Sequence, residues 1–75
     1  MAVKNNVRRL REQLGITQAD LAKLAGVSRQ AINAIETGKY DPSIWLAYSI
    51  SKVFKRSIED IFIFEEGEND EQKKP

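Results

Sequence analysis

Neither cysteine nor histidine occurs among the 75 residues of this chain. The first absence excludes disulfide staples and thiolate metal sites. The second removes the commonest general base and the commonest metal ligand. No glycine-rich phosphate loop is present, and the nearest approach to a carboxylate pair, Glu65-Glu66, falls in an expected edge strand. Long apolar runs are missing as well. The start, Met1 to Asn6, is too polar for a signal peptide, and no later stretch is long enough to span a membrane. These absences lead to the expectation of a soluble cytoplasmic protein without catalytic site, metal, cofactor or membrane contact.

What remains is a small chain of ordinary make-up, 41% hydrophobic and 31% charged. That length suits one domain whose core has little stability to spare, so support from a partner subunit is expected. The net charge of +1 conceals an asymmetry. Residues 1–56 hold ten Lys and Arg against four Asp and Glu, a net of +6, whereas residues 57–75 hold two against seven, a net of −5. A basic body favours an anionic partner. A merely solvated surface would account for the same counts, so charge alone chooses neither.

Apolar spacing organises the chain into short helices. Val7, Leu10 and Leu14 recur at helical intervals and predict a first helix from about Asn5 to Leu14, ended by Gly15. Thr17 and Asp20 approximate a capping box at the start of a second, with Leu21, Leu24 and Ala25 as apolar contacts and Ala22 at a close-packing position. Gly26 stops that helix, and Val27, apolar inside the turn, is expected to plug the space between helices. Ser28 caps a third helix running to about Thr37, with Ile32 and Ile35 inward and Gly38 at its end. Asp41-Pro42 reads as N-cap and first position of a fourth helix, whose inward stripe is Ile44, Ala47, Ile50 and Phe54. Its end falls at Lys55, where a left-handed residue costs on the order of 1 kcal/mol. Ser57 to Asp60 starts a single-turn fifth helix, and Ile61 to Glu66 has strand propensity. A lone strand needs a mate, either Ala2-Val3-Lys4 or a second subunit. Residues 67–75 lack apolar anchors and are expected to be a disordered acidic tail, leaving residues 1–66 as the domain.

Two short helices separated by about three residues including glycine fit a helix-turn-helix. The stretch ITQADLAKLAGVSRQAINAIETGKYDPSI, followed by SIEDIF, resembles the Cro/cI-type helix-turn-helix family of phage and bacterial repressors, also called the XRE family. The resemblance covers about residues 5–62. It is carried by Gln18, Ala22, the Gly26-Val27-Ser28 turn, Ile32 and the Glu36-x-Gly38 ending. The run IFIFEE further resembles short stand-alone regulators such as the cytolysin repressors, in which a small β-element follows five helices. The fold so implied is all-α: a compact five-helix, lambda-repressor-like domain with a small β-element from the chain ends. The function so implied is sequence-specific binding of double-stranded DNA by a transcriptional regulator.

Helix physics and the resemblance agree on candidate residues. A recognition helix fills a major groove about 12 Å wide and presents its first turn to base edges. Ser28, Arg29, Gln30 and Asn33 lie on or near that face, with Arg29 suited to guanine and Gln30 or Asn33 to adenine. The resemblance makes Gln18 a clamp on the phosphate backbone. Lys39, Tyr40 and Ser43, and Arg11 on the first helix, are further phosphate candidates, with Arg8 of uncertain direction. Glu36 is expected to be structural, and Trp45 and Tyr48 to be partly buried at a core edge. Ile58, Ile61, Phe62 and Phe64 exceed what one small core needs and suggest a homodimer interface. Two-fold symmetry would then set two half-sites about 34 Å apart. A DNA-binding antitoxin is the alternative reading, and an enzyme is disfavoured.

Overall fold

Two consecutive asparagines stitch the beginning of the domain to its end. The computed structural model describes residues 4–64. Its elements are β1 (Lys4–Asn5), α1 (Val7–Leu14), α2 (Gln18–Ala25), α3 (Arg29–Glu36), α4 (Ile44–Phe54), α5 (Ile58–Ile61) and β2 (Phe62–Ile63). β1 and β2 pair antiparallel, with Lys4 opposite Ile63 and Asn5 opposite Phe62. The Asn6 N–H donates to the Ile61 carbonyl at 2.8 Å. Asn5 Nδ2 donates to the Ile35 carbonyl at 2.9 Å, and its Oδ1 accepts from the Val7 N–H at 3.0 Å. The first helix therefore starts two residues later than its apolar spacing suggests, because Asn5 is held in the sheet. The strand's mate lies within the chain. The expected extension of the strand to Glu66 and the acidic tail lie outside the described residues.

Helix starts follow hydroxyl side chains. Thr17, Ser28, Ser43 and Ser57 each accept, through the side-chain oxygen, the N–H three residues on, at 3.0–3.2 Å. Each such cap is worth about 1 kcal/mol. At α2 the Asp20 carboxylate also accepts from the Thr17 N–H at 3.0 Å, completing the capping box. Those bonds, the backbone one first and the Thr17 hydroxyl second, hold the Asp20 carboxyl below its ordinary range. α4 is capped by Ser43 rather than by Asp41, two residues later than Asp41-Pro42 suggests. The Ser43 hydroxyl is the better placed acceptor for the first orphan N–H groups.

Four helices end in the same way. The N–H groups of Gly15, Gly26, Gly38 and Lys55 bond carbonyls three residues back, and the following N–H bonds one five residues back. This is the Schellman arrangement, which requires a left-handed residue. Gly26 supplies it at φ 78°, and the apolar residue after it, Val27, turns inward against the core. Ile16 does the same after α1. Lys55 adopts φ 56° despite its side chain.

The core is built from Val7 and Leu10 of α1, Leu21 and Ala22 of α2, Ile32 and Ile35 of α3, and Leu46, Ala47 and Ile50 of α4. Ile61 and Phe62 complete it. α2 packs on both α3 and α4, α1 packs on α3, and α5 closes against α4. Three expected core positions are instead exposed: Leu14, Leu24 and Ile44. Ile44 is the first residue of its helix, and side chains lean toward the helix N-terminus, which carries this one past the rim of the core. Leu46 takes the inward place. Ile61 and Phe62, expected at a dimer interface, are instead enclosed in the core of this chain, 0% and 2% exposed, and offer no surface to a partner. Among the described residues no helix is long and apolar enough to cross a membrane.

Candidate nucleic-acid interface

The packing of α2 against α3 fixes where the chain's polar side chains converge. Ala22 and Leu21 meet Ile32 and Ile35 on the inner side of this pair. The first turn of α3 therefore stands outward, with Ser28, Arg29 and Gln30 all exposed. Among the described residues neither the Arg29 nor the Gln30 side chain has a hydrogen-bond or ion-pair partner. The Ser28 Oγ is engaged as the cap of α3, accepting from the Ala31 N–H at 3.1 Å.

A chain of polar contacts runs beneath this face. Arg11 of α1 grips Glu36 with both prongs, Nε to Oε2 at 2.7 Å and Nη2 to Oε1 at 3.2 Å. Its third bond goes to the Ile16 carbonyl at 3.0 Å. Only 13% of the Arg11 side chain and 3% of Glu36 reach solvent. The hydrogen bond to Glu36 raises the Arg11 pKa beyond its already high ordinary range, outweighing burial, which acts in the opposite sense. Gln18 Nε2 then donates to Glu36 Oε1 at 3.0 Å and to Asn33 Oδ1 at 3.2 Å. Thr37 Oγ1 donates to the Asn33 carbonyl at 2.8 Å, tightening the end of α3.

This chain changes several expected assignments. Arg11 is not free for a phosphate: its guanidinium is consumed by Glu36 and Ile16. Its place at i+4 from Val7 puts it on the inward side of α1, where Glu36 meets it. Arg8 takes the outward position instead and lines a polar cleft with Gln18, Asn33 and Thr37. Its bond to Glu12, at 3.3 Å between well-exposed groups, is weak enough to exchange for another anion. Gln18 sits at the start of α2 as expected, yet both protons of its amide nitrogen are committed to side chains of α3. Glu36, expected to be structural, is the hub of the junction. Asn5, unassigned by sequence reasoning, holds the last turn of α3 through the Ile35 carbonyl.

The remaining phosphate candidates, Lys39, Tyr40 and Ser43, are exposed along the α3–α4 connection, Ser43 also serving as the α4 cap. A helix-turn-helix family profile matches residues 7–61, the whole of this arrangement from α1 to α5. The chain belongs to the helix-turn-helix family. It is similar to an HTH-type transcriptional regulator of Methanocaldococcus jannaschii, 56% identical over 66 residues that span 88% of this chain and all of the relative. It is similar also to the HTH-type transcriptional regulator YgzD of Bacillus subtilis, 45% identical over 64 residues, covering 85% of this chain and 97% of YgzD. Among solved structures, it resembles the P22 c2 repressor in complex with a synthetic operator, with TM-score 0.70 and 33% identity over 72% of this chain and 82% of that one. It resembles the N-terminal DNA-binding domain of SinR from Bacillus subtilis at TM-score 0.68 and 27% identity, over 72% of this chain and 80% of that one.

This helix-turn-helix protein is thus a transcriptional regulator of Cro/cI type with a DNA-binding fold, and not an enzyme. Its second exposed feature is apolar. Ile44, Trp45 and Tyr48 are 79%, 75% and 47% exposed, against the expectation of partial burial for the two aromatics. The rings of Trp45 and Tyr48 meet edge-to-face at 6.1 Å, and Lys52 Nζ lies 5.5 Å from the Tyr48 centroid. Ile58 lines the same groove as Ile44, Trp45 and Tyr48, and a neighbouring groove continues to Pro42 and Phe64.

Proposed function

We propose that this regulator represses transcription by binding double-stranded DNA sequence-specifically as a homodimer on a palindromic operator. The observation that carries the reading is the outward first turn of α3. Arg29 and Gln30 stand there without intramolecular partners, on a helix whose start is capped by Ser28 and whose inner side is locked to α2. Arg29 offers a bidentate fork to guanine O6 and N7, and Gln30 an amide to adenine. Ser28 and Asn33 border them on the same face. Lys39, Tyr40, Ser43 and the exposed Arg8 are the candidates for phosphate contact, supporting position rather than sequence; the Gln18 amide, with both protons given to Glu36 and Asn33, is not free for that role. The similarity to the P22 c2 repressor, whose structure includes an operator, supports repression by occupancy of a promoter.

A single recognition helix touches few base pairs, and pairing two protomers doubles the contacts over half-sites about 34 Å apart. The apolar face of Ile44, Trp45, Tyr48, Ile58 and Phe64 supports self-association, since contiguous exposed apolar surface of this kind marks an interface. Selection of bound sequences from random duplex DNA tests the whole reading. A palindrome with half-site centres one turn apart is the expected result, and a selected site placed over a promoter should lower transcript yield in vitro. No enriched sequence would remove the sequence-specific reading; an enriched site that leaves transcript yield unchanged would remove repression.

A further inference from the structure

The chain Arg11–Glu36–Gln18–Asn33 does more than hold three helices together, because it determines which way two amides face. A carboxylate only accepts hydrogen bonds, whereas an amide side chain has one accepting and one donating end. Glu36 is nearly enclosed, so the Gln18 end that meets it at 3.0 Å must be the nitrogen. The reversed amide would press oxygen against oxygen. With the nitrogen so placed, its second proton points to Asn33 at 3.2 Å, and the Asn33 end that receives it must be the oxygen. One buried carboxylate therefore orients both amides in turn.

We infer that Asn33 reads a keto base, guanine or thymine, in the major groove, with Gln18 and Glu36 as its positioning residues. The inference rests on the DNA-binding reading above. Asn33 lies one turn beyond Arg29 on the exposed side of α3. Its Oδ1 is turned to Gln18, and among the described residues nothing accepts from its Nδ2. The amide thus offers donors to the groove. Guanine O6 and thymine O4 accept at the edge where adenine and cytosine carry amino donors. The familiar asparagine–adenine pair needs Oδ1 to accept from the adenine amino group, and here that oxygen faces the other way. An unconstrained amide would choose adenine by pairing with both its amino group and N7; this one can reach at most N7 and should bind it less well.

Selection from random duplex DNA by four full-length proteins tests this: the native chain, Asn33→Ala, Asn33→Asp and Gln18→Ala. Asn33→Ala should flatten one position per half-site, which identifies the base that Asn33 reads. In the native profile that position should be guanine or thymine, favoured over adenine by about tenfold. Asn33→Asp, which has no donor, should lose that preference and favour cytosine or adenine. Gln18→Ala frees the amide, so adenine should gain several-fold there while the positions read by Arg29 and Gln30 keep theirs. Adenine at that position in the native profile, or an unchanged profile in Gln18→Ala, overturns the inference while leaving sequence-specific binding intact. No enrichment by the native chain overturns both. Side-chain amide hydrogen exchange in the free native protein supplies a check without DNA or variants. Gln18 protons should exchange more slowly than those of Asn33, and the reverse order would overturn the inference.

Discussion

Truncating Arg11 asks how much of this domain is held by charge at the junction of α1, α2 and α3. In Arg11→Ala the Glu36 carboxylate remains where 3% of its side chain reaches solvent. Its one remaining donor is Gln18 Nε2 at 3.0 Å. Breaking a buried ion pair from one side costs about 3–5 kcal/mol. Two hydrogen bonds to a charged group, at about 1.5–3 kcal/mol each, give a loss of the same size. A chain of 75 residues has on the order of 4–11 kcal/mol of stability in all. The variant should therefore lie close to the folding threshold, with Tm lowered by roughly 12–24 °C for a loss of about 3 kcal/mol. Glu36→Ala should be milder, because Arg11 keeps the Ile16 carbonyl and its long stem lets the guanidinium reach water. Thermal unfolding by far-UV circular dichroism at one protein concentration measures both. A cost below about 1 kcal/mol for Arg11→Ala would refute the reasoning. So would a paired Arg11→Met, Glu36→Leu variant no more stable than Arg11→Ala, since removing both charges should be close to neutral.

Three other perturbations follow from the same geometry. Lys55→Gly should raise stability by about 0.5–1 kcal/mol, because φ 56° strains any side chain there; the urea midpoint should rise at constant slope, and a fall would count against the Schellman assignment. The depressed carboxyl of Asp20 contributes stability that is present above the ordinary carboxylate range and lost as pH falls through the folded-state value. Native urea midpoints should therefore drop on acidification more steeply than those of Asp20→Asn, and equal slopes would contradict the capping box. Trp45→Ala removes a side chain that is 75% exposed, so the stability of the fold should hardly change while the proposed dimer dissociates about tenfold more readily or worse by sedimentation equilibrium. An unaltered dimer would move the interface elsewhere.

Much of the architecture could be read before any coordinates because its signals are local. Thr17 with Asp20, Ser28 and Ser57 announce helix starts by their own hydrogen-bonding chemistry, and Gly15, Gly26 and Gly38 announce helix ends by their freedom at positive φ. Val27 was legible for a similar reason, since an apolar residue just after a left-handed glycine has a defined inward place. What escaped was set by tertiary context. Ile44, Leu24 and Leu14 have core spacing but lie at or beyond the rim of their neighbours. Trp45 and Tyr48 are large and apolar, and nothing in their spacing says that the protomer leaves them bare. Arg11 and Arg8 look interchangeable as cations on one short helix, yet one is buried against Glu36 and the other lines the cleft beside Gln18. The distinction depends on a carboxylate 25 residues away.

On the proposed DNA-binding reading, that distant carboxylate links stability to recognition. Apolar packing between Leu21, Ala22, Ile32 and Ile35 holds α2 and α3 together, but contacts among such residues are non-directional and tolerate a small roll of one helix over the other. Hydrogen bonds do not tolerate it, since they weaken steeply with angle. Glu36 receives three N–H donors from two other elements, so it resists the motions that would turn Arg29, Gln30 and Asn33 away from a common face. A domain with this little core gains a defined reading geometry from one buried charge pair. Substitutions at Arg11 mild enough to leave it folded should therefore blur sequence preference before they abolish binding. Arg11→Lys is the sharpest case, because a lysine keeps the charge but cannot span both carboxylate oxygens while also reaching Ile16.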